Sequence, residues 1–212
     1  MIRRLVASAC AALLTACGGG GSAEADPPTV RATARPASAP DILFMGDSTF
    51  VPVYAGELAT PDYAAGSKRY VNVAVSGTMA CQAPLDAVRQ FLPRVVVANY
   101  AINDSGGETL DQYSQCLRQI AQVTAEVGAV LVLVEANPIV AGGRWSYARS
   151  NKVIATYEAA KQVIAQDTGS YYCRQPQITW TLAQIPDGVH PGAEAKPLIG
   201  AAINTCIERA DQ

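Results

Sequence analysis

The chain contains one histidine, His190, within Asp187-Gly188-Val189-His190-Pro191. An aspartate three residues before an imidazole can reach back to the ring, fix its tautomer and stabilise its protonated form. An imidazole held in that way is a general base, and a hydroxyl needs one, being a poor nucleophile until its proton is removed. The candidate hydroxyl is Ser48. Its triplet, Gly46-Asp47-Ser48, breaks the apolar run Ile42-Leu43-Phe44-Met45, as a strand would in delivering a side chain to the mouth of a site. If an imidazole activates Ser48, it is His190. Ser48, His190 and Asp187 together point to acyl transfer through a covalent intermediate, with no metal and no cofactor required.

The rest of the pattern must bring residues 48 and 190 together. Four further apolar runs follow the first: Tyr70–Val75, Arg94–Tyr100, Ala129–Val134 and a short one at Ser170–Cys173. The longer runs are β-branched and nearly continuous in hydrophobicity, as strands covered on both faces should be. Between them lie stretches with helical spacing of apolar residues, at 84–92, 110–127, 147–166 and 193–209. Gly128 suits a helix stop, and Pro197 is tolerable in a first turn. Strand alternating with helix predicts an α/β fold, a three-layer α/β/α sandwich around a mainly parallel five-stranded sheet, flavodoxin-like in order by analogy.

In open parallel sheets, ligands bind outside the carboxyl ends of the strands. The first run ends in Gly46-Asp47-Ser48, the second in Ser76-Gly77 and the third in Asn103-Asp104, and Asp187 and His190 precede the last helix. Taken singly, each segment reads as a turn, a cap or a loop. Their order and their common place at strand ends carry the argument. Gly142-Gly143-Arg144-Trp145 follows the fourth run and is either cleft wall or surface loop. Tyr171, Tyr172 and Trp180 read as packing. Gly18–Gly21 lacks the lysine and the flanking strand of a phosphate loop.

These segments resemble the blocks of the SGNH hydrolases, the GDSL esterase/lipase superfamily, from Asp41 to about Gly192. Gly46-Asp47-Ser48 is similar to the nucleophile block, Gly77 to the glycine of the second, Asn103 to the asparagine of the third, and Asp187-Gly188-Val189-His190-Pro191 to the DxxHP block. The resemblance implies that Ser48 is the nucleophile, His190 the base and Asp187 the acid. It also implies an oxyanion hole built from the Ser48 and Gly77 backbone N–H groups and the Asn103 amide. Two positions depart from the pattern. Thr49 stands where Leu is frequent, a change of little expected consequence, and Ala101 stands where the third block has Gly, which could tighten the backbone beside Asn103.

The 212 residues, half of them apolar and 16% charged with a net charge of −2, suit one globular domain with appendages and give no electrostatic reason to expect nucleic acid. Met1-Ile2-Arg3-Arg4 followed by the apolar stretch Leu5–Ala16 reads as a secretory signal, too short to span a bilayer. Its end, Leu14-Thr15-Ala16-Cys17, resembles a bacterial lipobox with Cys17 as the acylated residue. The alternative is an ordinary cleaved signal. The expected organisation is therefore a lipoprotein signal peptide at 1–16, a lipidated Cys17 with a disordered tether through residue 40, and a hydrolase domain at 41–212. A lipid anchor would place the domain at the cell envelope, on the outer membrane in a Gram-negative host.

Cys81, Cys116, Cys173 and Cys206 remain after Cys10 and Cys17. Four exported cysteines suggest two disulfides among three possible pairings, with Cys81–Cys116 and Cys173–Cys206 preferred because each pair is close in sequence. The expected activity is serine-dependent carboxylic-ester hydrolysis through an acyl-enzyme, on a small ester or an acylated glycan. Lysophospholipase or thioesterase chemistry is the alternative, and a non-catalytic surface-binding lipoprotein of the same fold is the rival from another class.

Overall fold

The computed structural model of the protein describes residues 34–51, 68–146 and 150–212. The apolar runs become β1 (Ile42–Gly46), β2 (Tyr70–Asn72), β3 (Val95–Asn99), β4 (Val130–Val134) and β5 (Tyr171–Cys173). They form one five-stranded sheet of order β2-β1-β3-β4-β5, parallel throughout. This is the flavodoxin-like order expected from the sequence. The second run is a shorter strand than its hydrophobicity suggests. Past Asn72, the amides of Val73 and Val75 still bond to the carbonyls of Phe44 and Gly46, at 2.8 and 3.0 Å, so the chain follows β1 to its end.

The helices are α1 (Leu85–Phe91), α2 (Asp104–Gly107), α3 (Leu110–Glu126), α4 (Asn151–Thr168) and α5 (Lys196–Ala210). Alternate strand residues point to opposite faces, and both faces are covered. Leu43, Met45, Val96, Ala98, Leu131 and Leu133 pack with residues of α1, α3 and α4, including Val88, Leu117, Ile120, Ile154 and Ile164. Ile42, Phe44, Val95, Val97, Val132 and Val134 pack with Ile199, Ile203 and Ile207 of α5. This two-sided burial is why the strands read as continuous apolar runs, and it makes the three layers. Each such side chain taken fully out of water contributes roughly 1.5–3 kcal/mol.

Local signals set several boundaries. Thr109 and Gln112 form a capping box at the start of α3, and Gly128, at φ +72°, turns the chain away after it. Pro197 lies in the first turn of α5, where its missing N–H costs nothing. The single turn α2 was not expected: two glycines among four residues conceal it. Tertiary contact holds it instead, for the Met79 sulfur occupies the space a β-carbon on Gly107 would need.

Both disulfides have the preferred pairing. Cys81–Cys116 joins a 3-10 turn at Ala80–Gln82 to α3, and Cys173–Cys206 joins β5 to α5. Beyond β4, the fully buried Lys161 donates to the Val134 carbonyl at 2.7 Å and to Glu158 at 2.6 Å, and the Tyr172 hydroxyl donates to the other Glu158 oxygen at 2.8 Å. A buried charge is tolerable only when paired and hydrogen-bonded in this way. Tyr172 therefore has a structural role, and Trp180 packs against the α5 core.

The folded region begins upstream of Asp41. The Arg35 guanidinium donates to the carbonyls of Leu92, Ala39 and Pro40 at 2.9–3.0 Å and pairs with Asp41 at 3.0 Å, while Ala39 and Pro40 are buried. Residues 34–40, assigned to the tether by composition, thus pack on the domain. Composition missed this because the anchor is one arginine bonding mostly to carbonyls. The signal segment 1–16, Cys17 and residues 18–33 lie outside the described residues, as does Tyr147, the expected start of the helix seen at Asn151–Thr168.

Candidate active site

The strand ends converge as the topology requires. At the end of β1, a β-carbon on Gly46 would stand 2.6 Å from the Asn99 carbonyl oxygen, so only glycine permits this approach to the end of β3. The next amide, that of Asp47, donates to the same carbonyl at 3.2 Å. Ser48 follows in the turn beyond. Its Oγ lies 2.8 Å from His190 Nε2, and His190 Nδ1 lies 2.6 Å from Asp187 Oδ2. With the proton on Nδ1 donated to the carboxylate, Nε2 is left as acceptor for the Ser48 hydroxyl. The hydrogen-bond partners assign that tautomer.

Asp187 is fixed from several sides. Its Oδ1 accepts the amides of Val189 and His190 at 2.9 and 2.7 Å. Burial alone would raise its pKa, but these amides and the imidazole outweigh it and hold the carboxyl below the ordinary value of 3.8. Gly188 turns the loop at φ +88°. The loop is stapled to the segment after β4, with the Val140 amide donating to Gly188 O at 2.9 Å and the Trp145 amide to Asp187 O at 2.8 Å. Gly143 lies directly against the Asp187–Gly188 peptide, leaving no space for a side chain. The Gly142–Trp145 segment, open between wall and surface loop in the sequence, thus supports the aspartate. Trp145 is 39% exposed and carries the Arg144 guanidinium 4.8 Å from its ring centroid.

Gly77 and Asn103 are brought together by the residue between them in space. The Asn103 side-chain amide donates one N–H to Thr78 O at 3.1 Å, leaving its second N–H uncommitted to that bond. The Thr78 hydroxyl lies 3.1 Å from Gly46 O, which draws the same loop to the end of β1. Among the described residues, neither the Ser48 nor the Gly77 backbone N–H has an intramolecular acceptor. Gly77 adopts φ +80°, and nothing lies within 4 Å of where its β-carbon would be. The backbone conformation by itself calls for a glycine here.

Two departures have consequences. Thr49 is not a neutral replacement: its buried amide and hydroxyl bond to Asp47 Oδ1 at 2.9 and 2.8 Å, and its hydroxyl accepts from Asn99 Nδ2 at 3.0 Å. Asp47, 1% exposed, is thereby part of a polar support beneath the Ser48 turn. Burial pushes its pKa up from 3.8 to about 6, against the opposing effect of the Thr49 bonds. Thr49 was noticed in the sequence only as a departure of little consequence, and Thr78 not at all, since a threonine in a loop carries no distinguishing pattern. Ala101 lies fully buried at φ +149°, a region that L-residues rarely adopt, two residues before Asn103.

No family model matches this chain, and no curated protein matches it. Solved structures do. A GDSL-like lipase from Bacteroides thetaiotaomicron is 21% identical with a TM-score of 0.65, over 85% of this chain and 94% of the other. A catalytic mutant of an acetylxylan esterase from Geobacillus stearothermophilus is 18% identical with a TM-score of 0.63, over 82% and 96%.

Two outcomes are expected from this geometry. Ala101→Gly relieves the strained φ at some entropic cost, for a net gain of about 1 kcal/mol in chemical denaturation; a loss of stability would show that the alanine is unstrained. For Asp47, a folded pKa above the ordinary one means the native state holds the proton more tightly. Stability is then lost as pH rises from 3.8 through about 6. Asp47→Asn, which can still accept from Thr49, is expected to gain up to about 3 kcal/mol over wild type at pH 8 and nothing at pH 4, by thermal unfolding.

At these identities the likeness establishes architecture, and the chain has the α/β fold of that lipase and that esterase.

Proposed function

We propose that the protein is a serine-dependent carboxylic-ester hydrolase of the SGNH superfamily, working through an acyl-enzyme. The observation that carries the reading is the continuous relay from Ser48 Oγ to His190 Nε2 and from His190 Nδ1 to Asp187, at 2.8 and 2.6 Å. The solved lipase and esterase of the same fold support it. In this mechanism Ser48 Oγ attacks the acyl carbon while its proton passes to His190 Nε2. Asp187 stabilises the imidazolium and remains ionised. The oxyanion is met by the N–H groups of Ser48 and Gly77 and the free N–H of Asn103. Collapse of the intermediate releases the alcohol, which takes the proton from His190 and leaves the acyl group on Ser48. A water molecule then attacks the acyl carbon and gives a proton to His190, which passes it to Ser48 Oγ as the acyl–oxygen bond breaks and the carboxylic acid leaves.

The substrate class we favour is a small acyl ester, including acyl groups on glycans, in keeping with the acetylxylan esterase of like fold. On sequence grounds alone, Cys17 anchors the domain to the cell envelope through lipid. Incorporation of labelled fatty acid into the full chain, abolished by Cys17→Ser, is the expected result; labelling that persists in the variant would refute the anchor.

With p-nitrophenyl acetate as substrate, Ser48→Ala is expected to reduce turnover to background and to lose labelling by a fluorophosphonate. Asn103→Ala should lower kcat by about 10²–10³. Unchanged turnover in Ser48→Ala would remove the serine mechanism.

A further inference from the structure

The donors assigned above to the oxyanion come from separate strands, and something must hold Gly77 and Asn103 in register. The candidate lies one residue beyond Asn103. Asp104 opens α2 and is 0% exposed, and its Oδ1 accepts the Ala80 amide at 2.6 Å. Glu108 closes the same turn, four residues on from Asp104. The Asp104 carboxyl therefore holds the first N–H of the 3-10 turn at Ala80–Gln82, three residues after Gly77.

The two side chains stand at positions i and i+4 of one helical turn and so lie on the same face of it. As carboxylates they cannot bond, since neither has a proton to give. Asp104 Oδ2 and Glu108 Oε2 are each buried without a donor among the described residues. A single proton between them satisfies both oxygens at once. The backbone suits the arrangement, with the Glu108 amide bonded to Asp104 O at 2.9 Å and the Tyr157 hydroxyl to Glu108 O at 2.5 Å.

We propose that Asp104 and Glu108 are positioning residues, a carboxylic acid–carboxylate pair whose shared proton latches the Gly77 loop to Asn103. The proposal rests on the ester-hydrolase reading only in what the latch is for; the shared proton itself does not depend on it.

The groups around the pair favour the protonated state. Asp47 beyond β1 adds negative charge, and Tyr100, Tyr113 and Tyr157 are near but neutral; Lys161 from α4 is a cation that acts on Asp104 in the opposite sense. Burial, then the charge of Asp104, pushes Glu108 up to about 6, and burial raises Asp104. Loss of the proton at higher pH sets two carboxylates against each other beneath the 3-10 turn. Both donors then shift, and the interaction lost is one felt in the transition state.

The test uses the full chain and two variants. Glu108→Gln replaces the shared proton with a permanent amide donor, whereas Glu108→Ala leaves Asp104 Oδ2 bare. Glu108→Ala is expected to lower kcat on p-nitrophenyl acetate roughly ten- to hundredfold with KM within about twofold, as a misplaced oxyanion donor would. Glu108→Gln is expected to remove a fall in kcat on the alkaline side that wild type and Asp47→Asn both show. Independently of turnover, the Tm of Glu108→Gln relative to wild type should rise as pH increases from 5 to 8, because a raised folded pKa makes native stability decline over that interval. A Tm difference independent of pH would overturn the shared proton, whether or not the protein hydrolyses esters. A Glu108→Ala enzyme with wild-type kcat would overturn the positioning role. Should Ser48→Ala turn over normally, the hydrolase reading falls while the Tm comparison still decides the pair.

Discussion

The contact between Gly46 and the Asn99 carbonyl is the constraint from which the rest of the site follows. It brings the end of β1 to the end of β3 with no intervening side chain. The turn that begins there leaves Ser48 within reach of His190. The Gly77 loop depends on the same point, since the Val75 amide and the Thr78 hydroxyl both reach Gly46 O. A bulkier residue at 46 would displace the Ser48 turn and the Gly77 loop together, which is why one glycine matters more here than its size suggests.

Around that contact the protein places polar groups where an ordinary α/β core would place apolar ones. Asp47, Thr49, Asn99 and Asp104 are all buried beneath the strand ends. Dehydrating them is costly unless partners are supplied, and most of their atoms have one. What such an arrangement confers is direction. Apolar packing tolerates small rotations, whereas a carboxylate accepting two bonds from Thr49 does not. Two of the buried acids, Asp47 and Asp104, have raised pKa values with burial as the first cause, so this rigidity comes with sensitivity to pH.

The relay on the opposite side is supported differently. Asp187 is fixed by backbone amides, and its loop is stapled through backbone bonds to the segment after β4. Little of that support depends on side-chain identity, apart from the glycines that allow close contact. The catalytic reading thus joins a side-chain-built wall carrying the oxyanion donors to a backbone-built wall carrying the base.

Much of this was legible in the sequence. Continuous β-branched runs identify strands buried on both faces, and their alternation with helical spacing implies a parallel sheet whose ends lie on one edge. A lone histidine next to an aspartate leaves few partners for Ser48. The close spacing of the cysteines favoured the pairing that the fold adopts. What only the tertiary structure decided are contacts between residues of unremarkable type: Thr49 with Asn99, Thr78 between Gly46 and Asn103, Asp104 on Ala80, Arg35 on the chain ahead of β1, and the short helix after Asn103. Periodicity records which face of an element is apolar, because burial acts on every residue of that face. A hydrogen bond between two loops involves one atom from each, leaves no period in either, and exists only once the sheet has set the distance between them.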